Sequence, residues 1–218
     1  MKTRSKALLL ALCAVLLVVT TVFGTLAYLT DTDNETNTFT IGEVDITLDE
    51  TDVKPDGTKD TDNRVHANEY HLVPGYTYIK DPTVHVTKGS SEAYVRMIVT
   101  VSNLGAVKEA FPKDKYPTYY DAADNFLLQN LVSGWDESKW PCAGIDGSKY
   151  EFRYCTTVEA KNAAVDLPAL FTHVVIPGEL DLDGVKALDE LEINVVAHAM
   201  QADGFDDADA AWAEFTTN

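Results

Sequence analysis

Apolar residues recur at every second position along much of this chain, the period of a strand with one buried face. The clearest run is AYVRMIVTVSN, where Val95, Met97, Val99 and Val101 share one face and Tyr94, Arg96, Ile98 and Thr100 the other. Apolar residues on both faces predict a strand inside a stack of sheets, away from an edge. Leu191, Ile193, Val195, Ala197 and Ala199 alternate in the same way. Shorter strands are expected at residues 76–79, around Val84 and Val86, and within KYEFRYCTTVE and FTHVVIP. Towards the start, Phe39 and Ile41 alternate with threonines. The phase changes at Gly42, and Val44, Ile46 and Leu48 continue it, so a bulge is expected there.

Other stretches break the rhythm. Residues 31–38 are polar and acidic and read as a flexible stem, and residues 49–64 read as a charged loop turning at Pro55-Asp56-Gly57. An insertion from about 105 to 149 holds Tyr116, Tyr119, Tyr120, Trp135 and Trp140 without a clear period. Within it, DAADNFLLQNLV predicts a short helix capped by Asp121. FDDADAAWAEF predicts another, its acidic first turn suited to the helix dipole, with Trp212 and Phe215 packing back on a sheet. Many short strands and few helices predict a mainly β chain, an antiparallel β-sandwich with short helical additions.

The first residues change the picture. Lys2, Arg4 and Lys6 precede a run from Ala7 to Val19 that is almost wholly apolar. That is the layout of a secretory signal peptide, and the run is short for a membrane span, which needs roughly 20 residues. Thr25 and Ala27 supply the small residues before a cut, so cleavage is expected after Ala27, leaving Tyr28 as the new terminus. Residues 1–27 are thus a signal helix and 28–218 a single β domain. Cys13 follows Leu12 deep in the apolar run, so no lipoprotein site is expected.

The leader takes three of the 17 basic residues and none of the 35 acidic ones, which leaves a mature net charge of −21. Such a chain has no charge to offer nucleic acid or anionic membranes. Contact with a membrane is expected only before cleavage. Two cysteines remain, Cys142 and Cys155, and an even number in an exported chain predicts a disulfide. AWAEFTTN carries no sorting motif with an apolar tail, so covalent wall attachment by that route is not expected.

AYLTDTDNETNTFTIGEVDITL, directly after the leader, resembles the amino-terminal signature of the TasA/camelysin (CalY) family, exported proteins processed by SipW-type signal peptidases of Gram-positive bacteria. VPGYTYIKDPTVHV, EAYVRMIVTV, LFTHVVIP and INVVAHAMQADGFDDADAAW are similar to that family's later blocks, in the same order. The 105–149 insertion has no counterpart there. The resemblance implies a jelly-roll-like sandwich, secreted to the extracellular matrix or cell surface, that self-assembles into biofilm fibres beside other matrix or surface proteins. It further implies that the freed amino terminus donates a strand to the next copy. Phe39, Ile41, Val44, Ile46 and Leu48 have the β-branched, alternating character such a donor needs. The competing reading is an ordinary first strand of the chain's own domain.

No enzyme is expected. Camelysins have been classed as metallopeptidases, yet no His-Glu-x-x-His or Gly-x-Ser-x-Gly pattern is present. His66 and His71 flank Glu69, while His85, His173 and His198 each stand alone on an expected strand. The alternatives are a camelysin-type secreted metallopeptidase and a monomeric surface adhesin that binds through the aromatic insertion. No cofactor is expected, with calcium as the sharper option. Glu179, Asp181, Asp183 and Glu190 fall at EF-hand positions 1, 3, 5 and 12, with Gly184 at 6. Glu at position 1 and Lys186 at position 8 depart from that pattern, and an acidic turn between strands is the competing reading. Asp56, Asp60 and Asp62 are a second, looser acidic group.

Overall fold

A computed structural model of the chain describes residues 30–33, 44–110, 126–180, 182–188 and 191–215. The expected cleavage residues Thr25, Ala27 and Tyr28, and Phe39, Ile41 and Gly42, lie outside them.

The alternation in AYVRMIVTV becomes β6 (Ala93–Val101), whose odd-numbered residues are buried and whose even-numbered residues are half-buried. β12 (Ile193–Gln201) pairs antiparallel with it over nine positions, from Ile193 opposite Val101 to Gln201 opposite Ala93. On the other side β6 meets β9 (Lys149–Arg153), which forms a hairpin with β8 (Cys142–Asp146). β1 (Thr30–Asp33) closes a five-stranded sheet in the order β1-β12-β6-β9-β8. Residues 31–33 are therefore an edge strand and not part of a flexible stem.

A second sheet runs β10-β5-β2-β3, formed by β10 (Val165–Asp166), β5 (Thr83–Val86), β2 (Ile46–Val53) and β3 (Lys59–Val65). The expected loop at 49–64 is thus the β2–β3 hairpin, with a register shift between Thr51 and Val53. Its turn falls where expected. Gly57 has φ +80°, and a Cβ there would stand 2.5 Å from Tyr78 Cδ1, so only glycine fits without displacing that ring. A third sheet joins β4 (Thr77–Ile79), β11 (His173–Val175) and β7 (Val132–Ser133) around Tyr78, Val174, Ile176 and Leu188.

The structure is mainly β, with antiparallel sheets and a few short helices. The two larger sheets share one core, to which β2 gives Ile46, β5 Val84 and Val86, β6 Met97 and Val99, β9 Tyr150 and Phe152, and β12 Ala197 and Ala199. The insertion is part of that core. Phe126, Leu127 and Leu131, on or beside a π-helical turn (Leu127–Leu131), are buried in it with Trp140. Trp135 packs edge-on against Phe152, with centroids 6.1 Å apart. Trp135 and Trp140 are therefore not an exposed adhesive surface. Tyr116, Tyr119, Tyr120 and Asp121 lie outside the described residues.

The expected disulfide is corrected as well: Cys142 and Cys155 are free thiols. Cys142 lies opposite Phe152, and the Cys155 N–H donates to the Lys139 carbonyl at 2.9 Å. The cysteines are thus three positions out of register, roughly 10 Å along a strand, while a disulfide tolerates about 7 Å between Cα atoms. Burial pushes the Cys142 thiol pKa up, while Cys155 is exposed.

Candidate functional site

The β12 edge is the site on which the sequence argument bears most directly. β1 lies antiparallel on it, with Thr30, Asp31, Thr32 and Asp33 opposite Met200, Ala199, His198 and Ala197. Among the described residues, 193–196 of β12 have β6 on one side and no strand on the other. A cleft of about 230 Å³ opens beside this stretch, between residues 192–195 and residues 48–50 in the middle of β2.

The floor of the cleft is ionic. Lys80 Nζ donates to Glu50 Oε2 at 2.7 Å, and the two side chains are 12% and 5% exposed. Asn68 Nδ2 donates to Glu50 Oε1 and to the Thr51 carbonyl, both at 2.9 Å, while Asn68 Oδ1 accepts from the Val53 N–H at 3.0 Å. His66 Nδ1 sits 3.0 Å from the Leu48 carbonyl. Glu50 is in phase with Val44, Ile46 and Leu48, which carries it to the inner side of the sheet. That phase was readable in the sequence, yet the surrounding charges hid it.

On the outer face of the same edge, a helix covers β12. α1 (Leu104–Ala110) and α2 (Leu182–Leu188) precede it in the chain, and α3 (Ala208–Glu214) follows β12. Asp207 caps α3 by accepting the Ala210 N–H at 2.8 Å, and Arg153 binds Asp209. The Arg96 guanidinium lies 4.3 Å from the Trp212 ring centre and 4.5 Å from that of Phe215. Its Nε donates to His198 Nδ1 at 3.2 Å. Trp212 and Phe215 thus pack back on the sheet, through a cation.

Burial, and then the Arg96 charge, lower the His198 pKa to about 4. Unfolded histidine titrates near 6.5, so the folded state favours the neutral ring. This contribution is complete above roughly pH 6.5 and is lost as pH falls through about 4, a change of about 3 kcal/mol. His198→Gln keeps an acceptor for Arg96 and does not titrate. Urea unfolding at pH 7 and pH 4 is expected to show wild type losing about 3 kcal/mol more than the variant. Equal losses would contradict the neutral assignment.

The remaining predicted residues divide clearly. Val44, Ile46 and Leu48 sit in the chain's own second sheet and core. Ile46 and Leu48 pair with Val86 and Val84 of the same chain, and Val44 and Ile46 are buried in its core. The EF-hand reading is also corrected. Leu182–Leu188 is helical, so the middle of the expected loop cannot wrap oxygen ligands around an ion, and Gly184 is buried within that helix. Glu179 is exposed, Asp183 lies in the helix, and Asp181 and Glu190 are outside the described residues. Asp56 accepts the Thr58 N–H and hydroxyl, Asp60 is 3.9 Å from Lys54, and Asp62 is 2.6 Å from Lys59, so those three do not converge. Among the described residues, no three His, Cys, Asp or Glu are grouped to hold a metal, and no helix is long and apolar enough to cross a membrane.

No family model, curated protein or solved structure matches this chain.

Proposed function

We propose that the chain is an exported, non-enzymatic structural protein with a jelly-roll-like sandwich, released from its leader by a SipW-type signal peptidase and assembled into extracellular fibres. In this reading one copy's amino-terminal strand adds to the β12 edge of the next. The observation that carries it is this edge: among the described residues, β1 covers 197–200 of β12 and no strand lies on 193–196 beside the cleft.

Energetics favour exchange of this strand. β1 is the polar stretch Thr-Asp-Thr-Asp, so its attachment rests mainly on ladder hydrogen bonds. Each is worth about 0.5–1.5 kcal/mol net. Fixing each residue costs about 1–2 kcal/mol of backbone entropy. The strand is therefore held with little net free energy and can trade its own edge for a neighbour's. Within one chain only ten residues separate Asp33 from Val44, which already belongs to the core under the second sheet. Val44 to Leu48 anchor the donor in its own subunit, and the donated element lies upstream of them.

The test compares the mature chain with a version lacking residues 28–33, by negative-stain electron microscopy and sedimentation. The mature chain is expected to form filaments and the shortened one to stay monomeric with an unchanged thermal melt. Filaments from both in equal amount would eliminate strand donation from this end.

A further inference from the structure

The outer face of the second sheet carries a charge cluster whose geometry requires one protonation state. His85, on β5, places Nε2 2.8 Å from Asp49 Oδ1 on β2 and Nδ1 2.7 Å from Asp166 Oδ1 on β10. An ionised carboxylate only accepts, and a neutral imidazole has a single N–H. Donating to both at once therefore takes the imidazolium. Asp49 links this cluster to two further charged groups, Arg64 from β3 and Asp81 just before β5. Arg64 binds both Asp49 and Asp81, and Asp81 also accepts the Thr51 N–H at 2.7 Å and hydroxyl at 2.8 Å.

We propose that His85 is a proton-operated clasp on the edge strand β10, closed while the imidazole is charged and open when it is neutral. The clasp spans the sheet from β2 across β5 to β10, and it is independent of the assembly reading above. When the proton leaves, one carboxylate must be released. Asp49 is 22% exposed and already partnered by Arg64, whereas the Asp166 side chain is 73% exposed. Water replaces a partner far more cheaply at Asp166, so β10 is the end let go. β10 has only two register pairs with β5, at Val165 with Val86 and Asp166 with His85. The next contact, from the Leu167 N–H to the Val84 carbonyl at 2.9 Å, is backed by a buried side chain and holds the chain beyond. Opening is thus confined to the strand and the exposed residues 161–164 before it, and it bares the backbone of β5 at Val86.

The sign follows from the partners. Burial pulls the His85 pKa down, but the hydrogen bonds and charges of Asp166 and Asp49 outweigh it and raise the pKa above the ordinary value. The clasp is complete below roughly pH 6.5 and is lost as pH rises through the raised value.

Amide hydrogen exchange on the unassembled mature chain reads this directly, after correction for intrinsic rates. Protection at Val86 and Val165, the hydrogen-bonded pair of this ladder, is expected to fall roughly tenfold from about pH 6 to about pH 9, while the amides of β6 and β12 stay constant. Asp166→Ala, at an exposed position, is expected to show the low protection at both pH values. Constant protection in wild type, or an undiminished fall in Asp166→Ala, would overturn the clasp. Filament formation does not enter this readout, so its failure and that of the assembly reading are separable.

Discussion

Replacing Trp140 with alanine is expected to destabilise the fold by about 3–5 kcal/mol, the range for truncating a fully buried large aromatic. Trp140 has no exposed surface. Its ring lies 5.0 Å from that of Tyr154, and its Nε1 donates to the Pro168 carbonyl at 2.8 Å. Its own carbonyl accepts Trp135 Nε1 at 2.8 Å. The substitution opens a cavity and leaves a carbonyl without its partner. Trp140→Phe keeps most of the volume and loses the hydrogen bond, so a smaller cost of about 1–2 kcal/mol is expected. Urea unfolding with an unchanged slope measures both. A change within about 0.5 kcal/mol for the alanine variant, as for an exposed site, would restore the adhesive-surface reading of the insertion.

Glu50→Ala is expected to cost about 3 kcal/mol, the low end for breaking a buried ion pair, because the adjoining cleft admits water to Lys80. The lost carboxylate is the acceptor for both Lys80 and Asn68. The Lys80 ammonium, 5.9 Å from the Tyr70 ring centre, keeps only a weak cation–π contact in compensation. The double variant Glu50→Leu with Lys80→Met removes both charges and is expected to recover most of the loss. A double variant worse than Glu50→Ala would mean that the pair itself, and not the stranded charge, carries the stability.

The strands with one buried face were legible in the sequence, since β6 and β12 announce themselves by alternation. The β2–β3 hairpin was not. Every β3 residue except Val65 is exposed, and a strand wetted on both faces has no apolar period. It is held by cross-strand polar pairs, Arg64 with Asp49 and Thr61 with Asp52, which composition reads as loop. β1, Thr-Asp-Thr-Asp, likewise has no apolar residue to set a period. The twelve-residue acidic motif failed because Leu182–Leu188 forms a helix that buries Ala187 and Leu188, a packing preference that a ligand template ignores. The cysteine count failed because parity says nothing of register. The cleft floor joins Glu50 to Asn68 and Lys80, 18 and 30 positions away, and the His85 cluster joins residues 36 and 81 apart, which no local pattern encodes.

The strand-exchange account is tested most directly by fibres grown from an equal mixture of ¹⁵N-labelled and ¹³C-labelled mature chain. Solid-state NMR transfer from nitrogen to carbon in such fibres reports only contacts between copies. The account predicts correlations joining the β1 residues of one copy to residues 193–200 of another. Fibres in which β1 correlates with β12 only within a uniformly labelled copy, and never across the mixture, would contradict it.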